Sequence, residues 1–384
     1  MYMLQSVLNN LKNIKPLIRT YILSLMLANG RKNCKSMSEE LGSSDKQLYL
    51  FLSGHKTHSE QIKKELIEIA KKTKKKGVLR TLVIDPTSLI KMYSKKIEKV
   101  CHDRSGCTGR TERCLVPVYL TIVDENVTIP LNLDFWIQEK IVGKNKYKSK
   151  VQIAQELIMY AITNGVEFDF VSVDGAFCGP DMFAFFKKNN LKSTMRIPRN
   201  RKIKINGNLV KLQDCQELKL IRNERSKTVK AELYGDTYWF TAQKRKKRNG
   251  GWEVVFIVSN MDLKAKEQIA AYDLRWPMEK MIRTTKQKFG AMQCQVISAE
   301  KQQAHILAGF LIYAATDLVK NDKKKKSVDE VVNIIRKSHF NDLINIDTEA
   351  AENEYNENVD PVKKHLQNSF KNLMQNSDLM EARH

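Results

Sequence analysis

The chain has 384 residues, 42% hydrophobic and 28% charged, with 66 Lys and Arg against 43 Asp and Glu and a formal charge of +23. That length allows two or three domains and a sizeable core, and no apolar run approaches the 18 residues a membrane span needs. The opening MYMLQSVLNNLKNIKPLIRT has no signal core, so a cytoplasmic protein without membrane partners is expected. The positive excess predicts a polyanion as partner, bound through release of phosphate counterions.

The excess is unevenly spread. Residues 1–80 carry 16 basic and 6 acidic side chains, and residues 195–253 carry the same numbers, whereas residues 349–384 carry 4 and 7. Two basic blocks suggest two nucleic-acid surfaces. The seven cysteines are odd in number and irregularly spaced, which suits reduced thiols. The cluster CHDRSGCTGRTERC (101–114) lacks paired Cys-x-x-Cys spacing, so a Gly-rich loop is expected there rather than zinc.

Residues 1–76 read as helices only. PLIRTYILSLMLANG starts on Pro16 and is expected to stop at Gly30. In KSMSEELGSSDKQLYLFLSG, Met37 and Leu41 lie one turn apart and Gly42 makes a turn. Ser44 can then cap a helix bearing Leu48, Phe51 and Leu52. This outline fits a DNA-binding helix-turn-helix or a plain helical hairpin. KKTKKK (71–76) reads as a linker or phosphate-gripping arm.

From residue 80 the texture changes. VLRTLVIDPTSLI is a strand ending at Asp85, and CLVPVYLTIVDENVTIPLNLDFW is a hairpin. KSKVQIAQELIMYAITNG is a helix stopping at Gly165. FDFVSVDGAFCGPDMFAFFKKNN is a strand, Asp174, a turn and a second helix. Residues 195–253 hold short strands and look like a basic inserted β subdomain. WEVVFIVSN is a further strand, followed by two helices broken by Pro277 and by the apolar helix AHILAGFLIYAATDLV. KNDKKKK reads as a linker, and the tail after about 350 as polar and loosely ordered. The expected fold is thus α/β, a mixed sheet flanked by helices behind an all-helical N-terminal domain. The expected domains are 1–76, 80–194, 195–253, 254–320 and 321–384.

Asp85 and Asp174 both end buried strands, each before a turn that leaves its carboxylate at the sheet edge, where ligands of parallel sheets collect. Glu279 follows a later strand. Three converging carboxylates repel one another, and hard oxygen donors without His or Cys suit Mg²⁺ or Mn²⁺. Two such ions can activate water and stabilise the leaving oxygen of a phosphodiester. Pro277 should end one helix near Arg275–Trp276 and start the next, with Glu279 in its first turn and Lys286 two turns on, facing the same way. Arg196, Arg199, Arg201 and Lys202 in MRIPRNRK could track DNA or form a solvated β edge.

Tyr272, Arg275, Glu279 and Lys286 match the spacing Y-(2)-R-(3)-E-(6)-K. Together with VIDPTS and VDGAF, this resembles bacterial DDE transposases of the insertion-sequence four family over roughly residues 80–320. The resemblance implies an RNase H-like domain interrupted by a β-rich insertion before the glutamate. It implies Asp85, Asp174 and Glu279 as catalytic ligands of two Mg²⁺ or Mn²⁺ ions, with Tyr272, Arg275 and Lys286 on the cut strand. It also implies an aromatic that holds a flipped base. Trp252 is the first candidate and Trp239 the second, with a plain strand-face tryptophan as the alternative. The implied activity is cut-and-paste transposition through a hairpin intermediate, on inverted-repeat ends and target DNA, by a nucleoid-associated homodimer. A stand-alone RNase H-like nuclease and a non-catalytic DNA-binding repressor are the alternatives.

Overall fold

The computed structural model describes residues 2–42, 44–106, 108–247 and 250–338. The chain opens with five helices, α1 (Tyr2–Asn9), α2 (Pro16–Leu27), α3 (Cys34–Leu41), α4 (Asp45–Ser53) and α5 (His55–Lys72). Helix α2 stops three residues before the expected Gly30, because Ala28 is already extended at φ −58°, ψ 137°. Helix α3 is capped by Asn33, whose side chain accepts from the Ser36 N–H, and closes on Gly42 at φ 61°. Ser44 stands at the N-cap of α4 without capping through its side chain, contrary to expectation, and Asp45 supplies the favourable charge of the first turn. Met37, Leu41, Leu48, Phe51 and Leu52 are buried, while Lys46, Gln47, Tyr49 and Leu50 of α4 face outward.

Twelve strands form one sheet among the described residues. They are β1 (Thr81–Pro86), β2 (Leu89–Ile90), β3 (Cys101–Arg104), β4 (Thr111–Val123), β5 (Thr128–Trp136), β6 (Phe170–Val173), β7 (Ser193–Ile197), β8 (Lys202–Ile205), β9 (Asn208–Lys211), β10 (Ser226–Leu233), β11 (Asp236–Lys246) and β12 (Trp252–Ser259). The central order is β5-β4-β1-β6-β7, antiparallel across β5, β4 and β1 and parallel across β1, β6 and β7. Strand β3 pairs antiparallel with β4, Cys101 opposite Cys114, in the segment where a loop was expected.

The expected boundaries at 195 and 253 fall inside β7 and β12. Those two strands pair antiparallel, so β12, β11, β10, β8 and β9 continue the same sheet. Without that pairing the outer edge of β7 would expose unpaired backbone groups.

The α-helices that follow among the described residues are α6 (Glu139–Val142), α7 (Lys150–Thr163), α8 (Pro180–Lys188), α9 (Ala265–Asp273), α10 (Trp276–Gln287) and α11 (Ala299–Asp322). Helix α11 packs on β5, α5 and α2, with Phe310 edge-on to Tyr119 of β4 at 4.9 Å. Helix α7 packs on β1, β4 and β5, and α9 covers β7, β10, β11 and β12. Residues 328–338, within the expected C-terminal region 321–384, are helical and bury Val328, Val331, Val332 and Ile335. The expected loosely ordered tail lies outside the described residues.

Two buried polar links join the N-terminal helices to the rest. Arg80 Nη2 meets Asp124 Oδ2 at 2.7 Å and Arg80 Nη1 donates to the Ala70 carbonyl at 2.6 Å, tying α5 to β1 and the β4–β5 turn. Tyr21 lies 2.8 Å from His305 Nδ1, and His305 Nε2 lies 2.9 Å from the Gly290 carbonyl. An N–H at Nε2 donating to that carbonyl leaves Nδ1 to accept from the tyrosine hydroxyl.

Candidate active site

The parallel register brings the first two acids together. Ile84 pairs with Val173 and Val173 with Met195, so the next row across β1, β6 and β7 is Asp85, Asp174 and Arg196. Neighbours in register point to the same face. That face is the one Tyr119, opposite Asp85, shows to α11. Asp174 opens a short turn, Gly175–Phe177, laid against β7. A Cβ at Gly175 would come 3.3 Å from the Arg196 carbonyl, so glycine is what allows this approach.

Helix α9 ends at Asp273, two residues earlier than Pro277 suggested, and α10 starts at Trp276 with Pro277 in its first turn. This puts Tyr272 in the last turn of α9, Arg275 at the junction and Glu279 in the first turn of α10. Arg275 Nη1 donates to Asp85 Oδ2 at 2.8 Å, and Nη2 donates to Glu279 Oε1 at 2.7 Å. One guanidinium fork therefore spans two acids that lie far apart in sequence. Its carbon lies 5.4 Å from the centre of the buried Tyr272 ring, and that of Arg245 lies 5.8 Å from it. Lys286 Nζ donates to Thr87 Oγ1 at 2.6 Å and to the Ser88 carbonyl at 3.0 Å, just beyond Asp85.

Burial is the largest influence on Asp85. With the charges of Asp174 and Glu279 it pushes the carboxyl up to about 7, against the pull of Arg275 and Lys286. Arg275 is disfavoured as a cation by its burial, yet Tyr272, Asp85, Glu279 and Asp174 together hold it more firmly charged than usual. The site thus gathers three half-buried acids, with Arg275 as their internal counter-ion.

The remaining expected residues are dispersed. Arg199 and Lys202 are exposed. Arg201 is committed to the protein, donating to Tyr234 Oη at 2.8 Å and to the Cys178 carbonyl at 3.0 Å, where it fastens the loop after Asp174. Trp252 is 55% exposed. Strand register separates it from the acids. Arg196 pairs with Ile257, and Ser259 pairs with Trp239, so Trp239 shares the face of the acid row while Trp252 projects from the other. Sequence reasoning missed Thr87 and Ser88, legible only as the end of DPTS, and Arg245, hidden in the basic run QKRKKR.

Three carboxylates with no His or Cys beside them suit a hard divalent cation by donor chemistry. Among the described residues, no three such groups are gathered closely enough to hold one as they stand, since Arg275 lies between Asp85 and Glu279.

The family model described as DDE superfamily endonuclease matches residues 7–214, more than half of the chain. The chain belongs to the DDE superfamily. The model described as Transposase DDE domain matches residues 140–315. The two matches between them cover all three acids and identify a DDE-superfamily transposase or endonuclease. No curated protein matches the chain. Its described helices include none long and apolar enough to cross a membrane.

Proposed function

We propose that this DDE protein is a transposase of the insertion-sequence four type that binds the inverted-repeat ends of its element and cuts and joins DNA there. The observation that carries the reading is the row of Asp85 and Asp174 on adjacent parallel strands, joined to Glu279 through the Arg275 fork. Asp85, Asp174 and Glu279 would hold two Mg²⁺ or Mn²⁺ ions, which when bound supply an activated water and charge for the leaving oxygen. Arg275, freed from the acids, suits two-point contact with a phosphate, and Lys286, anchored on Thr87 and Ser88, offers a point charge beside Asp85. Tyr272 sits between two guanidinium groups and keeps Arg275 aimed across the site. Arg196 extends the row toward the phosphates. Trp239, on the face of the acids, is the better placed tryptophan for stacking a displaced base.

Residues 1–76 would read the end sequence, with Lys46, Gln47 and Tyr49 exposed on α4. The chemistry runs by water attack to free a 3′-OH, attack of that hydroxyl on the opposite strand to form a hairpin, opening, and strand transfer. Pairing two ends calls for a homodimer. The test is cleavage of DNA carrying the flanking inverted repeats with Mg²⁺, comparing the protein with Glu279→Ala. Nicked or hairpin products from the wild type alone support the reading. Binding by both with cutting by neither returns it to a repressor, and cutting without hairpins or joined products to a nuclease.

A further inference from the structure

Tyr93 is 92% exposed, the most of any large apolar side chain among the described residues, and Met92 beside it is 55% exposed. They form the tip of the segment that joins β2 to β3, and that tip is pinned at both ends. Before it, the Lys91 N–H donates to the Arg113 carbonyl at 2.8 Å. The buried Lys91 Nζ donates to the carbonyls of Met292 and Cys294 at 2.8 and 2.7 Å. After it, the Glu98 N–H donates to the Ile297 carbonyl at 3.0 Å, and Glu98 Oε2 accepts the Ala299 N–H at 2.9 Å. The Ser94 N–H closes a turn onto the Lys91 carbonyl at 3.0 Å. A scattered exposed apolar residue is ordinary, but here neighbouring aromatic and thioether groups are raised into water on a braced turn.

The tip is also basic. Residues 91–113 carry seven Lys and Arg against three Asp and Glu. Two of those acids are engaged, Asp103 with Lys150 at 2.7 Å and Glu98 with the Ala299 N–H. Lys95 and Lys96 are exposed, and neither meets an acidic side chain among the described residues. The tip stands between two parts of the molecule. Thr87, which accepts from Lys286 beside Asp85, is six residues before Tyr93, at most about 20 Å of extended chain. On the other side Glu300, next to Ala299, meets His55 Nε2 at 2.8 Å, where α5 begins directly after α4. Contacts thus lead without a break from the acids through the tip to the helix whose outer face carries Lys46, Gln47 and Tyr49.

We propose that this tip is a DNA-contact element, in which Tyr93 stacks on a base, Met92 wedges beside it, and Lys95 and Lys96 grip phosphates. The inference rests on the transposase reading, and the occupant is the element's own end, between the cut phosphate and the sequence read by α4. That stretch of duplex is the one that must follow the path from the acids to α4. An aromatic face stacks on any base, and an apolar wedge opens a base step so that the duplex bends toward more protein. The lysines act on the phosphates as point charges. Because the turn is already braced, little freedom is lost when DNA binds.

The test uses the intact protein without metal, so that DNA is bound and left uncut. Duplexes carrying the flanking inverted repeat hold 5-iodouracil at successive positions, with an unrelated duplex of the same length for comparison. Wild type and Tyr93→Phe are expected to crosslink to adjacent bases on irradiation, mapped to position 93 by mass spectrometry. Tyr93→Ser should lose that crosslink and bind end DNA roughly tenfold more weakly, the loss of one stacked base, with an unchanged melting temperature. The double variant Lys95→Ser, Lys96→Ser should flatten the slope of log K against log salt by about 2. A wild type that prefers end DNA, with Tyr93→Ser binding it equally and no crosslink at position 93, overturns the proposal and leaves the transposase reading intact. A wild type that binds both duplexes alike overturns that reading, and with it the occupant named here.

Discussion

The two ends of β1 hold charge on opposite terms. At its start Arg80 is buried with every contact answered. Its Nε and Nη2 reach Asp124, its Nη1 the Ala70 carbonyl, and Asp124 accepts the N–H groups of Asn126 and Val127. At its far end Asp85 is half-buried among two like charges, with one guanidinium shared between it and Glu279. Complete pairing at one end locks helices to sheet. Incomplete pairing at the other stores repulsion that a cation can relieve, the usual mark of a functional site.

The largest effect should come from the unbalanced end. Asp85→Asn is expected to reduce cleavage of end DNA on the order of 10³-fold or more while leaving the melting temperature unchanged or raised. A large drop in stability would refute the idea of stored repulsion. At the balanced end, Arg80→Met should cost about 3–5 kcal/mol by leaving Asp124 buried alone, read by urea unfolding, with activity per folded molecule retained.

Protonation gives the next contrast. His305 is pushed down to about 4, chiefly by burial, so it folds neutral. Its contribution is present above its unfolded value of about 6.5 and is lost as pH falls toward 4, on the order of 3 kcal/mol. Asp85, raised to about 7, has the opposite sign in metal-free buffer: its contribution is present below the ordinary carboxyl range and is lost as pH rises through 7. Stability curves of His305→Gln and Asp85→Asn against the wild type should therefore diverge in opposite directions between pH 4 and 7. Parallel curves would contradict both assignments. The smallest effect expected is for Arg275→Lys, about a tenfold loss of cleavage, since an ammonium cannot bridge two acids or grip phosphate at two points. Wild-type rates from this variant would show that the fork is dispensable.

Much of this was legible beforehand because it is local. Alternating β-branched runs ending in Asp85 and Asp174 marked two strand ends, and Pro277 marked the helix break that sets Arg275 and Glu279 on either side of it. Helical spacing also placed Lys286 on the face of Glu279. The helix over 328–338 was readable too, since Val328, Val331, Val332 and Ile335 keep helical spacing, but the lysine run before them disguised it as linker.

What the amino-acid order determined by itself was therefore the set of elements and the acids at their ends, because propensity, capping and periodicity act over a few residues. Only the tertiary structure decided which charges meet. Asp85, Asp174 and Arg196 share a row because of parallel register. Trp239 and not Trp252 shares their face because the pairing of β11, β12 and β7 is fixed by hydrogen bonds between distant segments, and a strand's two faces are equivalent until such pairing selects one. The same holds for Lys32, an ordinary surface lysine in the sequence, which becomes buried only when Gly290 and Gln293 close around it.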